Sequence, residues 1–400
     1  MQQLKLFRNR RKRLEQGHPW IYKSEIEEGL ASVAEGEIVS IRNHQGVYLA
    51  TAYVNPKSQI TARVLTYDQN ETIDFGFFIR RIATAKLLRS RYLNPDGSYR
   101  AVYGEADFLP GLVVDKYGDI LVVQILSYGM EVWTRIIVDA LIQIYRPTGI
   151  LLRNDVSVRR LEGLPLEVKV IHGTVPDVVE IEENGLHFLV DVKEGQKTGY
   201  FFDQRENRAR LAPFMKDPAT GQGVQMLECF CHTGAFAIHA AHYGALHVRA
   251  VDISTPALHV AKQNAERNQM TQIEFLEANA FDFLREEERA KQLYDVVLLD
   301  PPAFAKSKGA IPGALRGYKD INLRGMKLVR EGGILMTASC SHHVSPQAFQ
   351  DTVLEAAVDA HKVLRLLQFV GAGIDHPQIA GVSEGNYLKF AIYQVFPRSS

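Results

Sequence analysis

Two apolar segments in the last third of the chain each end on a residue that can do chemistry. Tyr294-Asp-Val-Val-Leu-Leu-Asp300-Pro-Pro-Ala-Phe304 ends in an acid and two prolines, and Gly333-Ile-Leu-Met-Thr-Ala-Ser-Cys340-Ser341 ends in a cysteine. In an open α/β sheet, ligands sit beyond the carboxyl ends of the strands. These two ends would hold a carboxylate and a thiol over one crevice. That pairing suits attack on an electrophilic ring better than hydride transfer or phosphate hydrolysis. A thiolate at Cys340 would add to C6 of a pyrimidine and make C5 nucleophilic towards a methyl donor. Asp300, as acid or hydrogen-bond partner at N3, would stabilise the charge that develops in the ring. His342 or His343 would depress the thiol pKa. The proline pair stiffens its loop and leaves carbonyls free to accept from a base amine, and Phe304 offers a stacking face to a flipped base.

A second constellation reads as a cofactor site. Met226-Leu-Glu-Cys-Phe-Cys-His-Thr-Gly-Ala-Phe236 carries an acid, Glu228, near a strand end and Gly234 at the opening of a helix. A dinucleotide fingerprint needs three glycines so that a pyrophosphate can approach the backbone, but Phe230 and His232 fill the first two places. Bulk there obstructs a diphosphate and tolerates a nucleoside without phosphates, so S-adenosylmethionine (SAM) fits and NAD does not. Asp252 follows Gly234 by eighteen residues, near the ~20-residue offset at which an acid grips ribose hydroxyls. Ile253 would lie on the adenine face, and Asn279, with Ala280 beside it, would offer an amide to the adenine edge. Cys229, Cys231 and His232 lack the second pair of ligands that a structural zinc site needs. They read as a loop lining the cofactor, and no metal is expected.

The elements that must position these residues follow from periodicity. From about Gly185 onward, strand and helix patterns alternate, with strands over 225–230, 247–253, 273–276, 294–299 and 333–338. The helices lie over 235–242, 256–268, 280–289, 320–329 and 346–360. That is the grammar of a doubly wound, Rossmann-like α/β sheet, closed by antiparallel strands near 364–370 and 387–395. Residues 1–70 instead alternate as short strands (37–42, 46–54, 60–65) broken by turn residues, which predicts a small β-barrel. Residues 71–182 read as a small α+β segment, so three domains are expected: 1–70, 71–182 and 185–400.

The chain has 46 basic and 46 acidic residues, so a nucleic-acid partner would have to be met by local patches rather than by a global field. One basic run holds Lys5, Arg8, Arg10, Arg11, Lys12 and Arg13. A second holds Arg316, Lys319, Arg324, Lys327 and Arg330, with Lys306 close to the Asp-Pro-Pro loop. Three cysteines suit a reducing compartment better than a disulfide scaffold. No segment approaches the ~20 apolar residues of a membrane span, and no apolar leader precedes the first strand. A cytoplasmic protein is expected.

Six further segments carry a resemblance. They are Arg13-Leu-Glu-Gln-Gly-His-Pro-Trp20, Leu109-Pro-Gly-Leu-Val-Val-Asp-Lys-Tyr-Gly-Asp119 and Lys197-Thr-Gly-Tyr-Phe-Phe-Asp-Gln-Arg205, then Asp300-Pro-Pro-Ala-Phe304, Arg316-Gly-Tyr-Lys-Asp-Ile-Asn322 and Ser339-Cys-Ser341. On these residues the chain resembles the bacterial 23S rRNA 5-methylcytosine methyltransferases that carry an N-terminal PUA domain. The resemblance implies a PUA RNA-binding barrel, a central α+β domain and a class I SAM-dependent catalytic domain. It implies Cys340 as covalent nucleophile and Asp203 and Arg205 as residues closing the SAM pocket. Tyr318, Lys319 and Asn322 would lie near the target strand, in 23S rRNA or a large-subunit assembly intermediate. Asn279 stands where the family often has Asp. Ala303 stands near the place where many RNA 5-methylcytosine enzymes have a second cysteine, which leaves the base that removes the C5 proton unassigned.

Two other readings stay open on sequence alone. The Asp-Pro-Pro-aromatic loop would also serve methylation of a base nitrogen, with Cys340 a bystander. A non-catalytic RNA-binding assembly factor would keep the barrel but would need none of Asp252, Asp300 and Cys340. The oligomeric state is open, a homodimer included.

Overall fold

The computed structural model describes residues 1–8, 12–305 and 307–398. The chain divides into two compact units. The first comprises Met1–Ile181, Val190–Phe202 and Ile374–Gly385, and the second Glu182–Leu189, Asp203–Gly373 and Asn386–Ser400.

In the first unit, strands Gln2–Leu6, Trp20–Tyr22, Ile26–Glu28, Ile38–Arg42, Tyr48–Val54 and Ile60–Thr66 form a six-stranded sheet. Alternation along these strands turns Leu4, Leu6, Val39, Ile41, Ala52 and Val64 into one apolar core. Three of the six, over 2–6, 20–22 and 26–28, escape the sequence reading, and the last two are only three residues long, too short to show a period. Beside them lie a five-stranded sheet (Tyr99–Tyr103, Leu112–Tyr117, Ile120–Ile125, Gly149–Asn154, Glu167–Gly173) and the helices Phe75–Ser90 and Thr134–Tyr145. Asp74 caps the first helix by accepting from the Phe77 amide at 2.8 Å. The helix Thr134–Tyr145 follows the short helix Tyr128–Val132, with Trp133 between the two. Within this unit the buried Glu162 accepts from Arg63 (2.8 Å), Ser58 (2.6 Å) and Asn55 (3.0 Å). Burial alone would raise its carboxyl pKa, but Arg63 and these hydrogen bonds outweigh burial and lower it.

The second unit contains the alternating region. Its strands are β1 (Gln225–Cys229), β2 (His247–Asp252), β3 (Ile273–Glu277), β4 (Tyr294–Leu299), β5 (Val329–Ser339), β6 (Lys362–Val370) and β7 (Lys389–Pro397). Between them run α1 (Ala235–His242), α2 (Thr255–Arg267), α3 (Ala280–Ala290), α4 (Ile311–Leu328) and α5 (Pro346–Asp359). The sheet order is β3-β2-β1-β4-β5-β7-β6, with β7 antiparallel to both of its neighbours. The order reverses beside β1, which opens the crevice where ligands of such sheets bind. Parallel registers pair Cys229 with Val251 and with Leu299, and Leu299 with Thr337. The ends of β1, β2, β4 and β5 therefore line one edge. The closing antiparallel pair forms as expected, but β7 inserts between β5 and β6 and leaves only β6 at the margin. Helix α4 begins nine residues before its expected start at Asp320, because Pro312 occupies its first turn, where a missing N–H costs nothing.

Candidate active site

The loop after β1 has an unusual backbone. Phe230, His232 and Gly234 have φ of 68°, 49° and 78°, so two residues with side chains adopt the left-handed region that glycine favours. Backbone bonds hold the loop there. The Phe230 and Cys231 amides donate to the Val251 carbonyl (2.8 and 3.0 Å), and the His232 amide donates to Asp252 Oδ2 at 2.8 Å. Asp252 Oδ1 accepts from the Ser254 amide at 2.9 Å. Asp252 thus braces the cofactor loop, and Ser254 rather than Asp252 caps α2. Ile253 is 68% exposed beyond the end of β2, available to lie on a ring. Asn279 Oδ1 caps α3, accepting from the Phe281 amide at 2.9 Å, which leaves its NH2 group for another partner. Ala280 is buried behind it.

Under this loop lies Glu228, 1% exposed, whose Oε2 has no hydrogen-bond partner. Burial pushes its carboxyl well above the ordinary range, and the nearby charges of Asp300 and Asp252 push it further. Burial also raises the thiols of Cys229 and Cys231, so both are inert apolar packing rather than nucleophiles. Among the described residues no group of three or more His, Cys, Asp or Glu could hold a metal ion.

The Asp-Gln-Arg segment supplies the opposite wall. Gln204 Nε2 donates to Asp300 Oδ2 at 3.0 Å, and Gln204 Oε1 accepts from Asn207 Nδ2 at 2.6 Å. The Asp300 carboxylate is thereby oriented by a residue that sequence reasoning passed over. Asp203 is buried and accepts from the Tyr387 hydroxyl. Arg205 is directed at Glu183, with Nε 3.6 Å from its carboxylate, and Arg208 makes the tighter pair with the same carboxylate at 2.5 and 2.9 Å.

Cys340 follows directly from β5 and is half-buried. Its Sγ donates to the Pro301 carbonyl at 3.7 Å, so the thiol and the Asp-Pro-Pro loop share one edge of the sheet. Three hydroxyls brace the turn. Tyr318, wholly buried on α4, lies 3.0 Å from Ser339 Oγ and 2.9 Å from Ser341 Oγ, and Ser341 Oγ also accepts from the Ala305 amide at 3.3 Å. Lys389, 1% exposed on β7, donates to the carbonyls of Ser341 and Tyr387 at 2.7 Å each. A lysine inside the apolar run Tyr387-Leu-Lys-Phe-Ala-Ile392 is the signal that could have disclosed it. His342 is exposed and stacks on the Tyr387 ring at 4.9 Å.

The expected RNA-facing residues are placed unevenly. Phe304 is half-buried in an aromatic group, with its ring centroid 4.7 Å from Tyr318, 5.9 Å from Phe281 and 6.5 Å from Phe230. Asn322 is fully buried and donates to the Tyr318 carbonyl at 2.8 Å, so Tyr318 and Asn322 shape the site from beneath. Arg316 is exposed. Lys319 pairs with Glu355 (3.4 Å) and Asp359 (3.0 Å), Arg324 and Lys327 with Glu288, and Arg330 with Asp295. Folding thus neutralises most of a run that reads as cationic in sequence. Arg13, in the first unit, holds its guanidinium over the Tyr22 ring at 5.1 Å. Arg11 and Lys306 lie outside the described residues.

These residues fit SAM. An orphaned buried acceptor at Glu228, with Asp252 and Asp300 adding negative potential, suits a ligand with a sulfonium and an ammonium. Glu228, the 229–234 loop, Asp252, Ile253 and Asn279 are the residues that would hold it.

Comparisons with known proteins agree. Residues 4–67 match the PUA-like domain family, and residues 152–388 match the S-adenosylmethionine-dependent methyltransferase family. The protein of Cronobacter sakazakii named ribosomal RNA large subunit methyltransferase I is 41% identical over 96% of this chain and 97% of its own length. The Aliivibrio fischeri protein of the same name is 42% identical over the same shares. A solved structure from Streptococcus mutans described as a SAM-dependent methyltransferase shares the fold, with a TM-score of 0.82 at 20% identity over 98% of this chain and all of that one. A methyltransferase structure complexed with SAH reaches a TM-score of 0.84 at the same identity and coverage. The chain belongs to the S-adenosylmethionine-dependent methyltransferases, in the family whose members are named ribosomal RNA large subunit methyltransferase I and carry an N-terminal PUA-like domain.

Proposed function

We propose that the protein methylates C5 of a cytosine in 23S ribosomal RNA, with Cys340 as the covalent nucleophile. The observation that carries this reading is the thiol at the end of β5, 3.7 Å from the Pro301 carbonyl and beside the Asp300 loop. The names of the relatives support large-subunit ribosomal RNA as the substrate.

In this reading the Cys340 thiolate adds to C6, and the C5–C6 electron pair is drawn into the ring. Asp300, oriented by Gln204, supports the charge at N3. When bound, SAM supplies a methyl group on a sulfonium centre. C5 forms the new bond, a base removes the C5 proton, and the C6–S bond breaks to return the thiolate. The Ser339–Tyr318–Ser341 hydroxyls keep the turn rigid, so the sulfur stays aimed at the crevice. Phe304 offers a face to the extruded base. Arg13 and Arg316 meet phosphates, and Lys319 would exchange its two carboxylate partners for a phosphate as RNA docks.

The test is methyl transfer from labelled SAM to unmodified 23S rRNA, with wild type beside Cys340→Ala and the product nucleoside identified. The expected result is 5-methylcytosine from wild type and none from the variant. A methylated base nitrogen from both proteins would replace this reading with amine methylation at the Pro-Pro loop.

A further inference from the structure

Lys389 is a buried cation with no carboxylate within ion-pair distance among the described residues. Its ammonium donates to two carbonyls, Ser341 and Tyr387, at 2.7 Å each. Strand register fixes its position, because Ser339 on β5 lies directly opposite Lys389 on β7. Opposed residues project to the same face of a sheet, so the ammonium sits by the turn that begins at Cys340. An isolated ammonium is costly to bury, and two carbonyl dipoles offset that cost only in part. Burial pulls Lys389 down to about 8, and the Cys340 sulfur, when ionised, pushes it the other way.

We propose that Lys389 is the positioning residue that holds Cys340 as a thiolate, through its charge and its grip on the Ser341 and Tyr387 carbonyls. The inference rests on Cys340 being the nucleophile. No covalent change is required: the thiol proton passes to water, and the ammonium stabilises the sulfur anion left behind. Among the described residues, Tyr318, Asp300, Tyr387, His342 and His343 do not supply this charge. Tyr318, on α4, is a buried hydroxyl that stays protonated because burial raises its pKa. Asp300, at the end of β4, is an acid and has no positive charge to offer a thiolate. Tyr387 donates its hydroxyl to Asp203, and His342 and His343 are exposed on the turn itself.

The test is the pH profile of Cys340 alkylation by iodoacetamide in the full-length protein, without RNA or SAM, read by peptide mass. Cys229 and Cys231 are buried and serve as slow internal references. Replacing Lys389→Met is expected to raise the midpoint by about one pH unit, a roughly tenfold lower thiolate fraction at neutral pH. Lys389→Arg should keep the midpoint near wild type. A purely structural role for Lys389 would change the rate at every pH and leave the midpoint in place, and that result would overturn the inference. If the Met variant does not fold, Cys340→Ser with NMR titration of the Lys389 side chain replaces it. Loss of the thiolate should then lower the lysine midpoint, and an unchanged midpoint counts against the proposal. A shifted thiol midpoint with methyl transfer surviving in Cys340→Ala would remove the covalent step alone. An unmoved midpoint with transfer abolished in Cys340→Ala would remove Lys389 alone.

Discussion

Replacing Glu228→Gln should make the free protein more stable and its cofactor complex weaker. Glu228 Oε2 is buried without a hydrogen-bond partner, close to Asp300 and Asp252. A buried orphan of this kind costs about 1–3 kcal/mol, and the amide removes the charge and faces a donor towards two carboxylates. At about 2–4 °C per kcal/mol for a folding unit of 150–250 residues, the melting temperature should rise by several degrees. The sign with pH follows from the raised carboxyl pKa. The folded protein holds this proton more tightly than the unfolded chain, so stability falls as pH rises from the ordinary carboxyl value through the folded one. The gain from the amide is therefore absent in acid and full above the folded value. Cofactor binding should respond oppositely. A hydrogen bond or charge contact to a cationic ligand is worth about 1.5–3 kcal/mol, roughly a ten- to hundredfold change in Kd. SAM at a hundred times Kd stabilises wild type by about 2.7 kcal/mol, and a tenfold weaker variant keeps about 1.4 kcal/mol at that concentration. Differential scanning fluorimetry from pH 5 to 9, with and without SAM, reads both effects. A free variant less stable than wild type at every pH scanned, or an undiminished SAM shift, would refute the assignment of Glu228 to the cofactor's charge.

Three other perturbations are expected to be measurable. Arg208→Met should destabilise by about 3–5 kcal/mol in chemical denaturation, because it strands the buried Glu183 carboxylate; adding Glu183→Leu should recover most of the loss. Burial would raise the Glu183 carboxyl pKa, but Arg208, His239 and Arg205 outweigh it and lower it. The pair therefore stabilises above the unfolded carboxyl value and is lost as pH falls through the folded one, an acid limb that the double variant should lack. Tyr387→Phe keeps the ring against His342 and removes the donor to Asp203, so a loss of about 1.5–3 kcal/mol would be assigned to that hydroxyl. Gly129→Ala would place a methyl carbon 2.0 Å from the Tyr53 ring. A cost of about 3 kcal/mol or more is expected, and a melting temperature equal to wild type would show that Tyr53 can move aside.

The sheet of the second unit was legible because parallel strands buried on both faces read as continuous apolar runs, as Val296–Leu299 and Leu335–Ala338 do. The edge that carries Asp300 and Cys340 was legible for the same reason: a polar residue that ends such a run has to lie at the strand's carboxyl end. The insertion of β7 was not, since a reversed strand has the same local pattern at the margin as inside the sheet. Lys389 was passed over because a charge argues for surface, although its place inside the apolar run 387–392 argues for burial. The α4 cations were misleading in the opposite way. Arg324 and Lys327 meet Glu288, contributed by α3, and Lys319 meets acids on α5, none of which is near in sequence.

The β1 loop shows how a nucleotide-binding turn can change ligand without changing shape. A left-handed conformation costs an L-residue about 1–2 kcal/mol, and this chain accepts it at both Phe230 and His232 where glycine would be free of it. The bonds to Val251 and Asp252 hold the strained backbone in place. The Phe230 ring meets Phe281 and Phe304 at centroid separations of 6.4 and 6.5 Å, so the residue in the first glycine position also joins the cofactor loop to the wall that carries Phe304. A glycine there would relax the backbone, open room for phosphates and break that link. In the proposed reading the side chains narrow the turn to a cofactor without phosphates, and the Phe230 ring packs on the aromatic wall beside the Asp300 loop. In that reading, local strain at these two residues is the cost of having one loop serve both cofactor and substrate.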